Sequence, residues 1–379
     1  SVHGSAINTL LEGGFQYVHE GASAEGTVIS QNGWQVVKNG ATATDTTILN
    51  GTGTEVANGN SASSQSVQAG GSALNTTIGD DSPSGELLTD LSYQMVDGGR
   101  AENTTINNGG VQSVFAGTAI GSVVNRGGRL EASIWQDEPV VGKTAVAGSA
   151  NNVTVEADGI LSVDAGTSAT DVVIKQGGAL WATTDSTVTG TNSLGDFFID
   201  GTTHIATNVL LENGGRLDVL GNGIADTTTV NQGSILAVAT GGKAQNIVMH
   251  DGGVLIADTG ATVSGTNTTG AFGIDGATGK ASNLRLDNGS QFTVLGNGSA
   301  DNTTVGAGST LNVAQGGTLT GTTTFGDGAS LTGSATNSGQ LHFSNGNAAI
   351  SGSVSGDGQL LKEGNGTLTV SNGTLSQSQ

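Results

Sequence analysis

The tripeptide Asp258-Thr259-Gly260 follows the apolar run VLIA. Loops of the form D-[ST]-G serve acid hydrolysis in which two carboxylates about 3 Å apart share one proton. No second D-[ST]-G occurs in the chain, so only another copy could supply the partner carboxylate. The histidines His3, His19, His204, His250 and His342 are scattered, and none forms the H-x-x-x-H pair that would hold a metal. DDSPSG at 80–85 sets a serine beside carboxylates but lacks the GDSGG of a serine nucleophile loop. Cysteine is absent, which removes thiolate nucleophiles, thiolate zinc sites and disulfides together. Neither a calcium-binding G-G-x-G-x-D or D-x-D-x-D-G loop nor a phosphate-cradling G-x-x-x-x-G-K-[ST] loop is present. These residues specify no catalytic, cofactor or metal site, and the expectation is a protein that is not an enzyme.

Composition narrows what is left. Eleven Lys and Arg against 32 Asp and Glu give a formal net charge of −21 over 379 residues. That charge repels phosphate backbones and anionic lipid, so nucleic acid is not an expected partner. No run of 18 apolar residues could cross a bilayer as a helix. The opening SVHGSAINTLLEGG lacks the basic and apolar regions of a signal peptide. Aromatics are 3% and glycines number 65, too few large side chains for a wide core. A thin core assembled from small repeated units fits better.

The repeat is legible. A small residue, then a polar one and an alternating apolar pair, recurs at Ala6, Ala24, Ala43, Ala73, Ala101, Ala119, Ala150, Ala169, Ala206, Ala225, Ala244, Ala281, Ala300 and Leu319. The basic period is 18–19 residues; gaps of 28–31 are one period plus an insertion, and the two gaps of 37 read as two periods with one degenerate anchor. Within a unit the apolar period is two, which predicts strands. Asn recurs two residues after the anchor, at Asn8, Asn75, Asn103, Asn152, Asn208, Asn246, Asn283 and Asn302. There it suits a bent corner and can hydrogen-bond from unit to unit. A Gly-Gly or Asn-Gly turn and a strand of form x-Q-x-V or x-L-x-V follow. Such a unit is one coil of a parallel β-helix, an all-β solenoid of about 18 coils of 18–19 residues with short insertions.

One column of the last strand changes character. It is Gln16, Gln35, Gln65, Gln94 and Gln112, and then Leu130, Leu161, Leu180, Leu217, Leu236, Leu255, Phe292 and Leu311. Alignment with the leucines points the glutamines inward as a stacked amide ladder. The other reading turns them outward and sets Phe15, Tyr17, Trp34 and Val36 inside. Insertions interrupt the repeat near 50–62, 80–91 and 134–146, carrying Glu55, Asp80, Asp81, Glu86, Asp90, Trp135, Asp137 and Glu138. A shift of 75 residues also aligns Gly190-Thr191-Asn192 with Gly265-Thr266-Asn267, Ile199-Asp200-Gly201 with Ile274-Asp275-Gly276, and the VLGNG of 219–223 with that of 294–298. A block was duplicated, which an extended scaffold tolerates better than a single catalytic site does.

β-Helices also carry polysaccharide lyases and hydrolases, which cluster acidic and basic residues beneath aromatic platforms. Here the basic residues are dispersed and the aromatics sparse, so the surface itself is the candidate. Rows of outward Thr, Asn and Ser on stacked coils bind weakly one by one and add by multivalency. An identical rod running antiparallel meets the same rows by two-fold symmetry. The candidate self-association residues are Thr47, Thr77, Thr105, Asn107 and Asn108, with Lys38, Asp97 and Arg100 setting register.

GGFQYVHEGASAEGTVISQNGWQVVKNGATATDTTI (13–48) and GGRLDVLGNGIADTTTVNQG (214–233) resemble the antigen 43 and AIDA-type self-associating autotransporter adhesins, and the likeness runs along essentially the whole chain. GDGQLLKEGNGTLTVSNGTL (356–375) resembles the passenger-associated transport repeat of such proteins. The resemblance implies a right-handed β-helical passenger, exported by type V secretion through its own C-terminal β-barrel translocator. It implies anchoring at the outer membrane of a Gram-negative bacterium, with passengers on neighbouring cells associating antiparallel to give autoaggregation and biofilm. The chain then divides into an adhesin passenger over 1–315 and C-terminal coils with the transport repeat over 316–379, without signal peptide or barrel. Adhesion to host glycan or matrix is the alternative. The insertions depart from the family pattern and put the contact face in doubt.

Overall fold

The computed structural model describes residues 1–50, 62–80, 92–134 and 147–377. The chain is all-β, a β-solenoid of about 18 turns, and contacts divide it into units Ser1–Thr202 and Thr203–Gln379. The three insertions fall outside the described residues except at their flanks, among them Asn50, Asp80 and Ile134.

In the first unit each coil has three faces, as in Ser23–Glu25, Val28–Ser30 and Trp34–Val37. Successive coils pair parallel and in register. On the first face Ala6, Ala24, Ala43, Ala73, Ala101 and Ala119 stack in one line; on the second Ile29, Ile48, Ile78 and Ile106 do the same. The stretch read from sequence as one strand is two, because the residue two past the anchor breaks it. Asn8, Asn75, Asn103 and Asn152 hold φ of 52° to 55° there, a left-handed conformation that Asn tolerates better than most residues. Part of the corner is also a ladder: Asn75 Nδ2 donates to Asp45 Oδ1 at 3.0 Å and Asn103 Nδ2 to Asn75 Oδ1 at 3.3 Å.

The third face settles which way the glutamines point. Gln35, Gln65, Gln94 and Gln112 are fully buried, whereas Phe15 is 53% and Tyr17 37% exposed. Each Nε2 donates to the Oε1 of the glutamine one coil earlier, at 2.6–2.7 Å. The ladder is double. Gln35 Nε2 also donates to Thr27 Oγ1, and its Oε1 accepts from Thr46 Oγ1; Gln65 and Gln94 repeat this with Thr46, Thr76 and Thr104. Both amide donors and both carbonyl lone pairs are thereby used, which removes the cost of burying them. Ser122 Oγ closes the upper end by donating to Gln112 Oε1 at 2.7 Å. One coil after Gln112, Leu130 replaces the glutamine, and one coil after Ser122, buried Val153 replaces the hydroxyl.

The second unit keeps three faces around an apolar third column. Leu217 stacks on Leu236 and Leu236 on Leu255, and Phe292 on Leu311; on the second face the Phe325 and Phe343 rings stack at 4.6 Å. The expected step from Leu255 to Phe292 is offset: Phe292 pairs with Ala257, two residues further on.

Each 37-residue gap is not two parallel coils. Thr187–Asn192 turns back antiparallel on Gly195–Asp200, and in the second unit Thr262–Asn267 turns back on Gly270–Asp275. Side-chain carboxamides reverse the chain: Asn192 Oδ1 accepts from Leu194 N at 2.8 Å, and Asn267 Oδ1 from Thr269 N at 2.9 Å. Asp200 and Asp275 close the far ends likewise, accepting from Thr202 N and Ala277 N. The duplicated Gly-Thr-Asn and Ile-Asp-Gly motifs are the ends of these hairpins, whereas each VLGNG copy ends a third-face strand.

Candidate functional site

The surface rows are built by the ladder beneath them. In the doublets Thr46-Thr47, Thr76-Thr77 and Thr104-Thr105 the first hydroxyl turns inward to a glutamine. Strand alternation therefore turns the second outward. Thr47, Thr77 and Thr105 pair coil on coil and are half-buried, so the row presents methyl and hydroxyl groups at one height, about 4.8 Å apart.

The other candidates lie elsewhere. Asn107 and Asn108 are only 6% and 7% exposed; Asn107 Oδ1 accepts from Asn125 Nδ2 at 2.8 Å, and Asn108 O accepts from Asn50 Nδ2 at 3.2 Å. They hold the turn after the second face and offer little to a partner. Lys38 and Asp97 lie at the corner between third and first faces. Arg100 stands on the first face, bound to Glu102 through Nε–Oε1 at 2.5 Å. The eight residues thus occupy four places rather than one patch.

Sequence reasoning missed two clusters beside that corner. Phe15 and Trp34 meet on the outer side of the third face with ring centroids 5.9 Å apart, and Lys38 Nζ stands 5.3 Å from the Tyr17 ring centroid, a cation–π contact. His3 and His19, far apart in sequence, stack at 4.2 Å. Desolvation, and then the positive charge of His3 and Lys38, hold the His19 imidazole below its ordinary pKa. The signal was available: both histidines follow a valine at one point of the period, Val2 and Val18, which form a bridge.

The Asp258-Thr259-Gly260 loop is a turn. Asp258 accepts from Thr240 Oγ1 at 2.5 Å and from Gly260 N at 2.8 Å, while buried Thr259 accepts from Leu295 N. Among the described residues no three His, Cys, Asp or Glu side chains come together as a metal site.

A family model described as "Adhesin of bacterial autotransporter system, probable stalk" matches residues 2–60, 189–253 and 264–328. The chain belongs to the AIDA-type autotransporter adhesins. The second and third matched stretches of this AIDA-type passenger begin 75 residues apart (264 − 189), the interval of the duplicated block. The autotransporter adhesin/invasin TibA of Escherichia coli O78:H11 is 43% identical over 122 residues, 32% of this chain and 12% of TibA. The autotransporter CRAC of Citrobacter rodentium is 48% identical over 119 residues, 31% of this chain and 7% of CRAC. The matched part thus spans about an eighth or less of these relatives' length. The crystal structure of a TibC-glycosylated TibA fragment aligns over 97% of this chain and 99% of the fragment, at 24% identity and a TM-score of 0.41.

Proposed function

We propose that this AIDA-type passenger holds bacteria together by homotypic association, antiparallel, with identical passengers on neighbouring cells, and so drives autoaggregation and biofilm growth. The passenger stands outside the outer membrane of a Gram-negative cell, anchored through its own C-terminal β-barrel translocator. The observation that carries this reading is the in-register row Thr47–Thr77–Thr105. A row of identical, uncharged, weakly binding groups gains strength from repetition, and a second copy rotated by a two-fold axis meets it with the same row.

Mixing two differently coloured populations, only one displaying the protein, tests this. Homotypic association predicts aggregates of the displaying cells alone. Recruitment of bare cells would overturn it. The combined change Thr47→Ala, Thr77→Ala and Thr105→Ala is expected to slow settling of displaying cells about threefold with the circular dichroism of the purified passenger unchanged.

One observation favours a second reading, adhesion to host glycan: the exposed rings of Phe15 and Tyr17 lie beside Trp34 on one face, a surface suited to the apolar side of a sugar ring. Binding of the purified passenger to host cells, lost in the Phe15→Ala, Trp34→Ala variant, would favour it.

A further inference from the structure

The corner after the third face carries a charge pattern of its own. Register pairs Val18 with Val37, Val37 with Val67, and Val67 with Val96. The residues that follow these valines, His19, Lys38, Gln68 and Asp97, therefore stack as one column. His19, Lys38 and Gln68 open equivalent turns, each carbonyl accepting from the amide three residues on: Ala22 N at 2.9 Å, Ala41 N at 3.0 Å and Gly71 N at 2.8 Å. Gln68 is directly in register with Asp97. Along the column the charge runs from positive through neutral Gln68 to negative.

Neither charge has an ion-pair partner among the described residues. Among the described residues of the first unit every other Lys or Arg has an ion-pair partner: Arg100 with Glu102, Arg126 with Asp158, Arg129 with Glu131 and Lys175 with Glu156. Lys38 has none there, and its ammonium stands over the Tyr17 ring. Asp97 and Gln68 are exposed, and Asp97 likewise has no ion pair among the described residues. The acidic neighbour at this corner is Glu20, whose Cγ lies beside Gly40.

A column that is positive one coil before a neutral residue and negative one coil after it is complementary to itself under one operation: a two-fold axis through the neutral residue, perpendicular to the column. We propose that this corner is the register-setting contact between two antiparallel copies, with Gln68 on the axis, Lys38 against the partner's Asp97, and Asp97 against the partner's Lys38. Gln68 meets the partner's Gln68 as an amide pair. A parallel copy in the same register sets like charge on like charge and is repelled, so the column selects direction as well as offset. The inference rests on the homotypic reading above and names the residues that fix its geometry.

The test uses cells displaying the full-length protein with Lys38→Asp or Asp97→Lys, each population in its own colour. Each variant alone faces two like-charge contacts and is expected to settle about tenfold more slowly than wild type. An equimolar mixture restores both contacts, one with its native signs and one with signs exchanged, and it should settle at close to the wild-type rate in aggregates of both colours. Circular dichroism of each purified passenger, unchanged from wild type, excludes unfolding as the cause of slow settling. Either variant settling alone like wild type overturns the proposal, as does a mixture no faster than its parts; both leave homotypic association standing. Wild-type cells that fail to aggregate with each other overturn the homotypic reading itself.

Discussion

The composite ladder makes a glutamine in this core harder to replace than its neighbours in sequence suggest. Gln65 donates to Gln35 and Thr46 and accepts from Thr76 and Gln94. Gln65→Leu restores the residue type of the later coils but leaves polar groups on both sides buried and unsatisfied. We expect it to lower stability by at least about 2 kcal/mol in urea unfolding, and an unchanged midpoint would mean that the ladder contributes nothing. The opposite case exists in the second unit. Thr228, Thr303 and Thr323 occupy the hydroxyl column beside leucine or phenylalanine, and their buried Oγ1 atoms have no hydrogen-bond partner among the described residues. Thr228→Val and Thr303→Val should each raise stability by about 1 kcal/mol; a fall in midpoint would show that the hydroxyl is satisfied in solution. The inward glutamines were legible from column alignment alone. Their threonine partners were not, because Thr46 and Thr47 share every local preference. What distinguishes them is the coincidence of Gln112 giving way to Leu130 just where Ser122 gives way to Val153. The burial of Asn107 and Asn108 left no such trace, since turn asparagines look alike whether they face water or other asparagines.

Corners and hairpins give the coils their shape. At the left-handed corner Thr227 holds φ 57° where its stacked neighbours Asn208 and Asn246 hold 55°, and a β-branched side chain is strained there. Thr227→Asn should stabilise by about 1 kcal/mol, measured against Asn208→Thr, for which a loss of similar size is expected; equal midpoints for all three chains would remove the strain argument. The corner was readable because asparagine recurs there. The hairpins were not, because a gap of 37 residues imitates two periods. The sign lay in Asn192, Asp200 and their copies Asn267 and Asp275, aligned as repeats before they could be seen as turn residues. Duplication also left a difference. Arg285 clamps the second hairpin, donating from Nη1 to Thr268 Oγ1 at 2.7 Å and pairing with Asp251 and Asp287. The first copy has Leu210 in place of Arg285 and Ser193 in place of Thr268. Arg285→Leu should leave global stability within about 1 kcal/mol, as exposed pairs do, while amide exchange at Thr268–Gly270 accelerates; protection that stays the same would show that the clamp is ornamental.

At the scale of the molecule, net charge opposes the function proposed for it. Two copies of −21 each repel at a distance, and that repulsion is screened over about 10 Å at 0.1 M salt. Exposed ion pairs such as the two proposed between Lys38 and Asp97 contribute about 0–1 kcal/mol apiece. They can choose a register without supplying most of the affinity. The uncharged rows must supply the rest, and salt hardly weakens a hydroxyl contact. Added salt therefore weakens the general repulsion and the specific ion pairs alike, with opposite effects on adhesion, and whichever force is stronger sets the direction observed. Because long-range repulsion sums over all charges while the attraction is confined to two pairs, settling of wild-type cells should quicken as sodium chloride rises from about 10 to 150 mM. Cells displaying Lys38→Asp should keep the same upward trend from a slower start, since they lose register but not the rows. Settling of wild-type cells that slows steadily with salt would assign the adhesion to ion pairs, and the threonine row would then lose its place as the principal contact.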